Sequence, residues 1–143
     1  MVEHFSLELV TKKYEEWINI TEKLMEICEQ TDIMNGVMYV ITKHTTTGIT
    51  VNESLECLES DLSEMLERLV PEDHPYIHAR ILSNYGTTAG NPTGHLKSHL
   101  TGNHCVFSLI DGNISRGSAQ EVYFCEFDGP ALRKINITII GEK

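Results

Sequence analysis

From His104 onward the chain is a succession of strand-like segments, "HCVFSLI", "QEVYFCEFD" and "LRKINITII", and this run most restricts the fold. Helical period belongs to the first two-thirds instead. Ile20, Leu24, Met25, Ile27 and Cys28 fall at helical spacing with Thr21 placed to cap them, and Leu55, Leu58, Leu62, Met65, Leu66 and Leu69 share one face just before Pro71. Phe5, Leu7 and Leu9 alternate as a strand. Asn35-Gly36 turns the chain into the apolar strand "VMYVITKH", and "GITVNE" resumes extended structure. A short helix is expected from about Thr93 to Leu100, and Asp111-Gly112 reads as a hairpin turn. Early helices and late strands predict an α+β domain, antiparallel sheets packed by two principal helices, and not a βαβ repeat. At 143 residues one domain, 1–143, suffices.

Charge narrows the partners. Asp and Glu exceed Lys and Arg by 21 to 11, a net charge of -10, with no basic run, so nucleic acid and anionic membranes are not expected partners. The opening "MVEHFSLELV" lacks the layout of a secretory signal and no apolar run reaches the ~20 residues of a membrane span, so a cytoplasmic location is expected. Cys28, Cys57, Cys105 and Cys125 lie far apart and read as buried free thiols. The N-x-S/T tripeptides, such as Asn19-Ile20-Thr21, carry no weight in that setting.

Chemistry gathers at "KHTTTGITVNES", where His44 ends an apolar strand. Thr45, Thr46 and Thr47 could tie down their own turn, or with Gly48 present hydroxyl and N–H donors to a phosphate. Residues 71–92 read as one long loop crowded with ring side chains, among them His74, Tyr76 and His78. In "GHLKSH", His95 and His99 stand one helical turn apart and could share a metal, although the glutamate of H-E-x-x-H is missing. In "VYFCEFDGP", alternation puts Glu126 on the side of Val122 and Phe124, opposite Tyr123, Cys125 and Phe127. A carboxylate in so apolar a strand needs a metal, a cation or a histidine opposite it, or a structural salt bridge.

The blocks "HTTTGITVNE", "YIH", "GHLK", the glutamine of "SAQEVYF" and "CEFDGP", in this order, resemble the YjbQ-like family, often labelled secondary thiamine-phosphate synthase. The resemblance runs over almost the whole chain. It implies a compact two-sheet sandwich flanked by helices, a homotrimer, and a polar cleft holding His44, Thr45, Thr46, Asn52, Glu53, His78, His95, Lys97, Gln120 and Glu126. Two departures stand out: Gly117-Ser118-Ala119-Gln120 replaces a glycine-threonine-tryptophan-glutamine run, and His99 replaces a small residue, so no ligand role is carried onto it.

The implied activity joins a hydroxymethylpyrimidine diphosphate to a thiazole phosphate with release of pyrophosphate. On that reading His44, Glu126 and an exposed Lys97 are catalytic, and Thr45, Thr46, Asn52 and Gln120 bind substrate or phosphate. His44, His78 and His95, with Glu126 as fourth ligand or base, hold a divalent ion of the zinc or manganese type, or magnesium brought by a diphosphate. Metal-assisted hydrolysis of a phosphorylated small molecule, with Glu126 as base, and a trimer that binds metal or phosphate ligands without turnover are the alternatives.

Overall fold

The computed structural model of the chain describes residues 1–80 and 91–143. In chain order the elements are β1 (Val2–Val10), β2 (Glu16–Asn19), α1 (Thr21–Gln30), β3 (Asn35–Thr42), β4 (Thr47–Asn52), α2 (Glu56–Leu69), α3 (Ile77–Arg80), α4 (Pro92–Thr101), β5 (His104–Ile110), β6 (Asn113–Ile114), β7 (Glu121–Glu126) and β8 (Leu132–Glu142). The α+β class read from the sequence is the one observed. One sheet has five strands in the order β1-β8-β3-β5-β6 and the other three in the order β2-β7-β4, every pair antiparallel.

Alternation explains how the sheets face each other. Ile135, Ile137 and Ile139 of β8, Met38 and Val40 of β3, and Phe107 and Leu109 of β5 meet Val122 and Phe124 of β7 and Ile49 of β4 in one buried cluster, which Ile20, Leu24 and Ile27 close from the α1 end. The opposite face of β7 supplies Tyr123, Cys125 and Phe127 to a second cluster with Leu66 of α2 and Trp17 of β2. The hairpin at Asp111-Gly112 is present, with positive φ at both residues and Ile110 opposite Asn113.

Several local expectations change. Thr21 is not the cap of α1: Ile20 holds that position, and the Thr21 hydroxyl accepts from the Val122 amide at 2.8 Å while the Thr21 amide donates to Asn19 Oδ1 at 3.0 Å. The short helix expected from about Thr93 to Leu100 is present as α4, while α3 occupies part of the stretch read as loop, of which 81–90 lies outside the described residues. All four cysteines are free, but Cys57 is exposed, and burial pushes the Cys105 thiol up to about 12.

Candidate functional site

The histidine-threonine block is the corner where the chain leaves one sheet for the other. β3 belongs to the five-stranded sheet and β4 to the three-stranded one, so residues 43–46 must cross between them. Hydroxyls hold the crossing: Thr42 and Thr47 share a buried bond of 2.7 Å, the His44 amide donates to Thr42 Oγ1 at 3.3 Å, and the Thr46 carbonyl accepts from the Phe127 amide at 3.1 Å. Thr46 and Thr47 are buried and serve the corner itself. Thr45 is exposed, and its hydroxyl has no partner among the described residues.

Behind the corner lies a buried ion pair. Glu126 is fully buried. Its Oε1 accepts from Arg133 Nε and Thr11 Oγ1, each at 2.7 Å, and its Oε2 accepts from Arg133 Nη2 at 2.7 Å and the Asp128 amide at 3.0 Å. Arg133 Nη2 also donates to Thr46 Oγ1 at 3.2 Å. Burial pushes the Glu126 carboxyl up, and the hydrogen bonds and charge of these donors outweigh it and hold it below the usual range. Of the partners the sequence allowed, the salt bridge is the one found. Arg133 was legible in principle, because "LRKINITII" places it on the same inward face as Ile135, Ile137 and Ile139.

Helix α4 is drawn onto this corner by two glycines. A Cβ on Gly48 would meet Thr101 Cγ2 at 2.6 Å and one on Gly94 would meet the Phe127 carbonyl at 3.0 Å, so helix and strand approach more closely than side chains allow. Ser98 Oγ donates to the Thr47 carbonyl at 2.5 Å. Lys97, expected at the surface, is only 3% exposed. Its ammonium faces Glu15 at 3.3 Å, and Glu15 also accepts from Ser63 of α2, so Lys97 ties α4 to that layer.

His95, on the remaining face of α4, borders two clefts. One, of about 430 Å³, is lined by His44, Thr45, His95, Ser98, His99 and Asn103. The other, of about 660 Å³, is lined by His74, Tyr76, His78, His95 and Leu96, with the His78 and His95 rings edge to face at 5.1 Å. Asn91 Nδ2 donates to Asp128 Oδ2 at 2.8 Å, which turns Asn91 Oδ1 toward His78 Nε2 at 3.1 Å and makes that nitrogen the donor. His44 is held differently: its Nε2 accepts from the Lys134 amide at 2.8 Å. Burial pushes the His44 pKa below its ordinary value, and Arg133, Lys43 and Lys134 push the same way against the pull of Glu126.

The corner thus gathers His44, Thr45 and His95, with His78 beside His95, and adds His99, onto which the family resemblance carried no ligand role. Asn52 and Gln120 do not join them. Thr47 pairs with Glu126 and Asn52 with Glu121, so Asn52 and the residue before Glu121 lie at the other end of the small sheet, about 17 Å away at the rise of an extended strand. There the Glu53 amide donates to Asn52 Oδ1 and the Gly117 amide to Gln120 Oε1. Nor do the described residues fit the divalent ion expected at His44, His78, His95 and Glu126, since Glu126 is committed to Arg133 and the His44 lone pair to an amide. Among the described residues no group of three or more His, Cys, Asp or Glu is placed to hold a metal.

A family model described as UPF0047 protein YjbQ-like matches residues 5–142. A UPF0047 protein of Methanothermobacter thermautotrophicus is 34% identical over 136 residues, covering 95% of this chain and 90% of that one. The UPF0047 protein YugU of Bacillus subtilis is 32% identical over 136 residues, covering 95% and 98%. Among solved structures, a YbjQ-like protein of unknown function from Sulfolobus solfataricus superposes with a TM-score of 0.90 at 26% identity over 99% of both chains.

Proposed function

The chain belongs to the YjbQ-like family, UPF0047, and from that premise we propose that the cleft between His44 and α4 binds the phosphoryl end of a phosphorylated small molecule. The observation that carries the reading is the electrostatics of the corner. In a chain of net charge -10, the charge acting most on His44 is Arg133, Glu126 opposes it, and Lys43 and Lys134 add to the push of Arg133. Glu126 is cancelled at contact by Arg133 and the Lys134 ammonium reaches Glu8 at 3.9 Å, so Lys43, which has no acidic partner among the described residues, leaves a local positive field beside the Thr45 hydroxyl and the imidazoles of His95 and His99. The reaction that suits such a site is departure of a diphosphate, the transfer chemistry of a thiamine-phosphate synthase, with donors aimed at the charge that develops on the leaving group. No step is assigned to a metal held by the protein, and Glu126, with four donors on its oxygens, is no base for hydrolysis.

Calorimetric titration with sodium diphosphate tests the reading. Wild type should bind, the Thr45→Ala protein about tenfold more weakly on loss of one hydrogen bond to a charged group, and a chelator should change neither. Absence of diphosphate binding would end it, and product formation from the two thiamine precursors would separate an enzyme from a binder.

Assembly and location complete the proposal. Val2, Val106, Ile110 and Ile140 stand 46–57% exposed on the outer face of the five-stranded sheet, and Asn52 and Gln120 could reach a His44 corner only from a neighbouring copy. Both suit a homotrimer. Four free cysteines suit the reducing cytoplasm, and among the described residues no helix is long and apolar enough to cross a membrane.

A further inference from the structure

The surroundings of His44 fix the state of one ring nitrogen and, through it, that of the other. The Lys134 amide can only donate, so Nε2, 2.8 Å away, must carry a lone pair. In the neutral imidazole the proton then sits on Nδ1, which has no partner among the described residues on a ring that lines the smaller cleft. We propose that His44 serves this cleft as a fixed Nδ1–H donor, with the main-chain N–H of Lys134 as its positioning group, and not as a metal ligand. Coordination through Nδ1 would need the proton on Nε2, where two donors would face each other across 2.8 Å. Coordination through Nε2 would strip the Lys134 amide of its acceptor.

The positioning group is itself fixed. Lys134 follows Arg133 in β8, whose guanidinium is locked on Glu126, and the Lys134 carbonyl accepts from the Lys43 amide at 3.3 Å, so strand and corner are clasped on both sides of the imidazole. A donor held in this way selects an oxyanion and rejects a cation. The inference rests on the phosphate reading for its ligand but not for its tautomer.

The test is a long-range 1H–15N spectrum of uniformly labelled full chain at neutral pH, with His44 identified by its loss in His44→Gln or His44→Asn. A protonated Nδ1 beside an unprotonated Nε2 is expected, unchanged by one equivalent of zinc chloride. The opposite tautomer, or zinc moving these resonances to metal-bound positions, would overturn the proposal. Sodium diphosphate is then added. A shift of the Nδ1 resonance supports donor and phosphate reading together. No shift, with the tautomer as assigned and zinc inert, leaves the donor standing and removes the phosphate. Asparagine places an amide NH2 near the Nδ1 position and glutamine near Nε2, so His44→Asn should retain diphosphate affinity while His44→Gln loses about tenfold. Retention by glutamine and loss by asparagine would count against an Nδ1 donor.

Discussion

Glu126 and Arg133 show what a single residue reveals in sequence and what it conceals. Alternation marks both as inward-facing charges among branched apolar neighbours, so each demands a partner. Which partner depends on how β7 and β8 come together across the loop at Gly129, where a Cβ would meet the Lys13 carbonyl at 2.1 Å, and no local pattern encodes that approach. Glu126→Ala or Arg133→Ala should cost about 3–5 kcal/mol in urea unfolding, because a buried charge is left alone, while the double variant Glu126→Leu, Arg133→Met should recover most of the loss. The folded carboxyl lies below its ordinary value, so its contribution is complete above an ordinary glutamate pKa of about 4.3. It is lost as pH falls through the lower folded value. Urea midpoints followed downward from pH ~5 should therefore fall in wild type and stay flatter in the double variant. Lys97 is the converse case: its helix face gave no sign of burial, because its partner Glu15 and the strand glycine Gly48 that α4 packs against lie far from it in the chain. Lys97→Ala should lower stability by about 1–3 kcal/mol because Glu15 Oε1 loses its charged donor and keeps only the Ser63 bond on its other oxygen, readable as a lower melting temperature. Unchanged melting with lost diphosphate affinity would return Lys97 to the cleft.

At the scale of elements, periodicity found the long strands and the two long apolar helix faces, since each buries a stripe that its own sequence spells out, but not the four-residue β2. It missed α3, whose four residues are too few to show a period, and it misplaced the cap of α1, because the Thr21 hydroxyl is claimed by a strand amide about a hundred positions away. The seat of α4 on β4 is likewise a property of two elements together. Gly48→Val should cost about 1–3 kcal/mol by overpacking against Thr101 and, by lifting His95 away from His44, weaken diphosphate binding more than an equally destabilising change in α1. Equal loss of affinity in both variants would show that the helix seat does not shape the cleft. Gly36 in β3 and Gly141 in β8 face each other so closely that a Cβ on either would reach a carbonyl oxygen at 2.1 Å, which gives the Asn35-Gly36 signal a second meaning beyond the turn.

For the whole molecule, the order of helices and strands was enough for the α+β class, but not for strand neighbours, because β8 pairs with β1 and β3, which stand far from it in the chain. The His44 corner was legible as a cluster and not as a junction, since only the split between two sheets makes residues 43–46 a crossing. Light scattering should give three times the 16.2 kDa chain mass, and Val106→Glu on the exposed sheet face should reduce it to one; a monomeric wild type at micromolar concentration would refute the trimer. The insertion of β8 between β1 and β3 also sets a timetable. During synthesis β1 and β3 emerge long before the strand that joins them, so the larger sheet must wait, with both strand edges open, until residues 132–142 leave the ribosome. Chains stalled before Leu132 should then show no native amide protection in β1, and the completed chain should fold on the slow, millisecond-to-second timescale of long-range sheet pairing.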